Sequence, residues 1–220
     1  SCHMPLKTNG RHSHEFVGVD INLTNTPGSS IYVQQYNSVL KLLQNAVILE
    51  FAGRGDKEGV SLNSDSLFIP IKITSLTQHS LPSGTSFSRE AWLELQVLNK
   101  ETGELLFSSG LIADSSDLDL NDENLLLFTS YLYDENGIIT SSVRQAHDIK
   151  KLMLPASPPR IHTYKFIGDF NLVNQLEINI RMKFRAFKPH LLRKDHPELL
   201  TNLPVFEMAK LNITVYVDDL

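Results

Sequence analysis

Leu176-Glu177-Ile178-Asn179-Ile180-Arg181-Met182-Lys183-Phe184-Arg185 decides the fold. Its apolar residues, Leu176, Ile178, Ile180, Met182 and Phe184, recur at every second position. The residues between them are polar or charged. Successive side chains of a strand point to opposite faces, so this run predicts a strand with one face on a core and one toward water. The same period recurs on both sides of it. Leu67, Ile69, Ile71 and Ile73 alternate with Phe68, Pro70, Lys72 and Thr74. Ala91, Leu93, Leu95 and Val97 alternate with Trp92, Glu94 and Gln96, and Leu211, Ile213, Val215 and Val217 close the sequence. Pro70 has no N–H for a ladder, which predicts an edge strand or a bulge there.

Turn signals separate these runs. Asn99 to Gly103 reads as a hairpin into Leu105–Ser109. Leu125–Tyr133 is a further run, stopped by Asp134-Glu135-Asn136-Gly137, and Ile161–Phe166 is a short one. Val47 to Ala52 reads as a strand before the Gly-rich turn Arg54-Gly55-Asp56. One helix stands apart. Tyr36, Val39, Leu40, Leu43 and Val47 share one face at helical spacing, predicting an amphipathic helix over about residues 31–46. A short helix is expected near Leu199–Leu203. The expectation is a mainly β protein: an antiparallel β-sandwich domain over 31–220 with one N-terminal amphipathic helix, preceded by an irregular, His-containing arm over 1–30.

Composition narrows the function. The chain has 220 residues, 41% hydrophobic and 20% charged, enough for a substantial core. A net charge of −5 without a Lys/Arg cluster argues against a nucleic-acid binder. The single Cys excludes an intramolecular disulfide or a Cys-based zinc site. No apolar run reaches the length of a membrane span. Gly-x-Ser-x-Gly, a P-loop and Gly-x-Gly-x-x-Gly are absent, and nothing singles out a catalytic pair among the scattered carboxylates, so the enzyme question stays open, with a non-catalytic role the favoured expectation. Asp114, Asp117, Asp119, Asn121, Asp122 and Glu123 form an oxygen-rich stretch. Asp117-x-Asp119-x-Asn121 begins like an EF-hand loop, which makes Asp117, Asp119, Asn121 and Asp122 candidate calcium ligands. The required Gly is missing and Phe128 takes the place of the closing Glu, so a solvated acidic loop is the other reading.

The first residues carry the remaining chemistry. Cys2-His3 is the back half of a Cys-x-x-Cys-His haem attachment motif, in which thiols bond to the haem and the adjacent His ligates the iron. The same residues, Ser1-Cys2-His3-Met4, also resemble the scar of a cleaved purification tag. Cys2-His3-Met4-Pro5 is followed by Arg11-His12-Ser13-His14-Glu15-Phe16-Val17-Gly18. Further on, Gln78-His79-Ser80-Leu81-Pro82-Ser83-Gly84 precedes Arg89-Glu90-Ala91-Trp92-Leu93, and Gly103 to Gly110 contains Phe107-Ser108-Ser109-Gly110.

Together these blocks resemble the C-terminal region of multihaem c-type cytochromes, with Gln78 and Glu90 departing from the family's usual Gly and Arg. The resemblance implies haem c in the intact protein, with Cys2 as thioether donor and His3 as proximal ligand. It implies that His14 and His79 are distal ligands to haems held by an upstream region of the same protein, with redox proteins as partners. It also implies a periplasmic or extracellular setting, bacterial or archaeal. His190 and His196, in a polar, basic segment, read as solvated. A different class remains open beside it: a non-redox sandwich module for adhesion or ligand binding, with a tag scar at its start.

Overall fold

A computed structural model of the chain describes residues 8–12, 16–53, 59–63, 65–113, 116–170 and 172–220. Helix α1 spans Ser30–Leu43. Ser29 caps it, its side-chain oxygen accepting from the Tyr32 N–H at 3.3 Å, which satisfies one exposed donor of the first turn. Val39 and Leu43 are buried, and Tyr36 and Leu40 pack beside them. The helix ends before residue 46. Asn45 Nδ2 donates to the Lys41 carbonyl at 2.7 Å and supplies a partner to the last turn, so the backbone is free to turn. Val47 then opens strand β1, Val47–Phe51.

Strands β2 (Ser61–Asn63), β3 (Ser66–Ser75), β4 (Glu90–Asn99), β5 (Leu105–Ser109) and β6 (Leu127–Tyr133) follow. After them come β7 (Ile139–Thr140), β8 (Asp148–Leu152), β9 (Arg160–Ile167) and β10 (Gln175–Arg185). Helix α2 (Pro189–Asp195), a 3-10 turn over Pro197–Asn202, β11 (Phe206–Tyr216) and a last 3-10 turn over Val217–Asp219 complete the order. The pairings are antiparallel and form two sheets. In the first, β1 and β2 share one edge of β3 and β9 takes the other. The second runs β11-β10-β4, with β5 and β6 sharing the far edge of β4. β6 continues past β4 to pair with β7 and β8.

The inner faces are those the alternation predicts. Ile69, Ile71 and Ile73 of β3, Leu93 and Leu95 of β4, and Ile178 and Ile180 of β10 all have 0% exposure and join one core. Burying each such side chain contributes roughly 1.5–3 kcal/mol.

Pro70 departs from expectation, because β3 is a central strand. The Ala52 N–H donates to the Pro70 carbonyl at 2.8 Å. The N and O of one strand residue point to the same side, so the missing donor of Pro70 faces the β1/β2 edge. On that edge β1 ends opposite Ile71 and β2 begins opposite Phe68. The proline therefore sits at a break between two short partners, where little ladder is lost.

The outer face of the second sheet carries a charge ladder. Arg181, opposite Glu94, reaches it at 2.9 Å, and Lys183 lies 3.8 Å from both Glu94 and Glu207. At one end this face is covered. Arg185 pairs with Glu90, donates to the Ser116 carbonyl at 2.7 Å and lies 5.3 Å over the Trp92 ring. Trp92 donates to the Gly110 carbonyl at 3.0 Å. The cover is α2 and the chain between β5 and β6: Asp117 accepts from Arg193 at 2.7 Å and from the His190 N–H at 3.1 Å. Arg185, expected on the solvent face, is thereby fully buried.

Candidate functional site

The His79 loop is pinned from several sides. Beyond β3, Ser75 Oγ and Thr77 Oγ1 lie 2.9 Å apart, and Thr77 Oγ1 donates to the His79 carbonyl at 2.6 Å. Leu81 and Leu154 exchange backbone bonds, both at 2.8 Å, tying the loop to the segment between β8 and β9. Arg89 Nη1 donates to the Ser83 carbonyl at 2.6 Å. Gly84 sits at φ +71°, where a Cβ would stand 2.9 Å from that guanidinium, so glycine is what lets Arg89 approach. The Leu81–Pro82 peptide is cis.

On this pinned loop the His79 side chain is exposed. Its Nδ1 lies 3.1 Å from the Ser80 carbonyl oxygen. A carbonyl only accepts, so Nδ1 donates and carries the proton. In the neutral ring Nε2 is then the bare nitrogen, with its lone pair available. Metal-ligating histidines are oriented in the same way, by the hydrogen bond of the other ring nitrogen.

Beside His79 lies a cavity of about 520 Å³. Its apolar walls include Val19, Leu42, Leu81 and Phe184, from the arm, α1, the loop and β10. Arg89 and His79 are its charged or ionisable lining among the described residues, and no carboxylate lines it. Asn45, Thr77, Gln78 and Ser83 complete the lining, so the recess is apolar on one side and polar around His79 and Arg89. Cys2, His3 and His14 lie outside the described residues, as does Arg54-Gly55-Asp56.

Asp117, Asp119 and Asp122 of the acidic stretch are engaged within the chain. Asp117 binds Arg193 and the His190 backbone. Asp119 Oδ1 accepts from the Asn121 N–H at 2.9 Å and from Asn121 Nδ2 at 3.1 Å. Asp122 accepts from Ser109 Oγ at 2.7 Å, and from the Gly110 and Asn124 N–H groups at 2.9 Å each. Among the described residues, no group of three or more His, Cys, Asp or Glu could hold a metal ion. Burial opposes ionisation of Asp117, but Arg193 and the His190 N–H outweigh it and hold the carboxyl below its usual range. Glu90 behaves oppositely: burial raises its pKa despite Arg185 beside it.

Sequence reasoning missed Arg89 and the cavity. The walls come from four distant stretches, and no spacing within any one of them announces the others. Arg89 appeared only within a block of resemblance, without a role.

No helix among the described residues is long and apolar enough to cross a membrane. No family model matches the chain, and no curated protein does. Among solved structures, its fold is similar to that of a penta-heme cytochrome c552 from Thermochromatium tepidum, with a TM-score of 0.67 at 17% identity. The match covers 97% of this chain and 46% of that one, so the chain spans less than half the length of the cytochrome it resembles. At that identity the likeness is one of fold: this antiparallel β-sandwich is similar to part of a multihaem cytochrome c.

Proposed function

We propose that the chain is an electron-transfer module of a multihaem c-type cytochrome, working in the periplasm or outside the cell. It covers haems, supplies axial histidines and offers a docking surface to redox partners. In this reading residues 1–30 are the arm bearing the haem motif and residues 31–220 are the sandwich. Cys2 is the thioether donor, His3 the proximal ligand, and His14 and His79 distal ligands to haems held by an upstream region.

The observation that carries the reading is the His79 ring. Its Nδ1–H is fixed on the Ser80 carbonyl at 3.1 Å, on a loop anchored through Leu81 and Ser83. With Nδ1–H on that carbonyl, Nε2 is the ring nitrogen left to ligate an iron. A bound haem would supply one-electron transfer, and His79 is the residue that would hold its iron.

The test is His79→Ala in the parent cytochrome. The expected result is one iron turning high-spin and binding added carbon monoxide, with the other haems unchanged. An unchanged spin state at every iron would remove His79 from the ligand set.

A further inference from the structure

Strand β9 is an open edge of the first sheet. It pairs with β3 over eight residues, from Ser66 opposite Ile167 to Ile73 opposite Arg160, and no bulge interrupts the register. Pro70 turns its carbonyl toward the β1/β2 side of β3, so Ile69, Ile71 and Ile73 turn their backbone groups toward β9. Their partners Tyr164, His162 and Arg160 face inward in return. Ile161, Thr163, Lys165 and Ile167 therefore direct their N–H and C=O groups away from β3, where no strand pairs with them. All four are exposed. Other strands at sheet edges are shorter or covered. β11 runs beside α1 and β1, and β8 has five residues, with its Ile149 N–H taken by the Asp148 carboxylate at 2.7 Å.

The side chains of this edge are apolar and basic. Ile161 and Ile167, each 62% exposed, stand toward its two ends. Between Asp148 and Asp169 the chain carries Lys150, Lys151, Arg160 and Lys165 and no carboxylate. On the same outer face Lys72 is met by Glu50 at 2.9 Å. Among the described residues Arg160 and Lys165 have no such ion pair, and Lys165 lies 5.8 Å over the Phe68 ring. Asp65 and Asp169 flank the Ile167 end, which leaves the positive charge at Lys165 and toward Arg160. An edge lysine keeps like edges apart. Two copies of β9 laid antiparallel about Tyr164 would bring their Lys165 side chains together diagonally, which disfavours a second copy here.

We propose that β9 is a docking edge whose occupant is an extended acidic segment of a partner protein, added to the first sheet as one more strand. Main-chain bonds at Ile161, Thr163, Lys165 and Ile167 hold the segment. Its apolar side chains lie over Ile161 and Ile167, and its carboxylates reach Arg160 and Lys165. The inference is independent of His79 and of haem.

The probe is a blocked peptide of alternating valine and glutamate, as long as β9, titrated against the 220-residue chain. A valine–lysine peptide is the control. The acidic peptide should bind on the order of tenfold more tightly, the difference between two exposed ion pairs and two repulsions. Amide exchange should slow at Thr163 and Lys165, whose N–H groups face outward, and stay unchanged at Tyr164, already held by Ile69. The double variant Arg160→Glu, Lys165→Glu should reverse the preference, and its binding of the basic peptide shows that it folds. Equal affinity of the wild-type chain for the two peptides overturns the acidic partner. Unchanged exchange at Thr163 and Lys165 overturns strand addition and leaves a charged patch. Tighter binding to phosphatidylserine vesicles than to the acidic peptide would assign the edge to a membrane surface. A dimer paired through β9 that the peptide does not dissociate would assign it to a second copy. Either result overturns the proposal.

Discussion

Gly84 shows how much of the site depends on a single missing atom. Its φ of +71° is costly for any residue with a Cβ, and that Cβ would crowd the Arg89 guanidinium. Gly84→Ala should therefore destabilise the chain by about 1–2 kcal/mol, read as a lower thermal midpoint. It should also disturb the Arg89–Ser83 bond, visible as faster amide exchange around Ser83. His79 was legible as a candidate because it stands two residues before Leu81-Pro82-Ser83-Gly84, a stiff stretch of loop. What the sequence could not display is the proton on Nδ1, which depends on where the Ser80 carbonyl points. Arg89 was illegible for a related reason. Its partner Asp20 lies on a distant segment, Ser83 is reached only through the fold of the loop, and a charged residue just before a strand looks like any solvated one.

Strands β4 and β10 meet at Arg185 and Glu90, directly opposite each other in register and both buried. Removing one member leaves a charge without its partner in a dry place. Arg185→Met alone should cost roughly 3–5 kcal/mol in urea denaturation. The double variant with Glu90→Leu should cost less than Arg185→Met alone, because neither charge is then stranded. Equal or larger loss in the double variant would show that the pair stabilises the strands beyond its desolvation cost. The strands themselves were legible, since Leu176 to Arg185 and Ala91 to Val97 alternate without interruption. Helix α2 was not, because its seven residues are too few for a stripe, and Asp117 holds it from outside. β3 was expected at an edge or with a bulge because Pro70 announces a lost donor but not which neighbour lacks it.

For the molecule as a whole, stability depends on pH through groups of opposite sign. Asp117 has a folded pKa held below 3.8, so its contribution is present above that value and fades as pH falls through the folded pKa. Glu90 has a folded pKa raised above 4.5. Its contribution is complete below 4.5 and is lost as pH rises through the raised value. Asp117→Asn should flatten the acid limb of a plot of thermal midpoint against pH. Glu90→Gln should remove the decline that begins above 4.5, at whatever cost Arg185 imposes throughout. An unaltered acid limb in Asp117→Asn would assign acid sensitivity elsewhere.

The recess beside His79 has one more consequence, in time. Synthesis runs from Val19 through Leu42 and Leu81 before it reaches Leu154 and Phe184. Leu154 is what Leu81 bridges to, and Phe184 is part of the far wall. A nascent chain thus carries the imidazole long before it has a seat for anything that imidazole might bind. The seat closes when β10 is laid against β4. The recess is therefore finished later than the loop that carries His79, and a chain stopped before Phe184 lacks one of its walls.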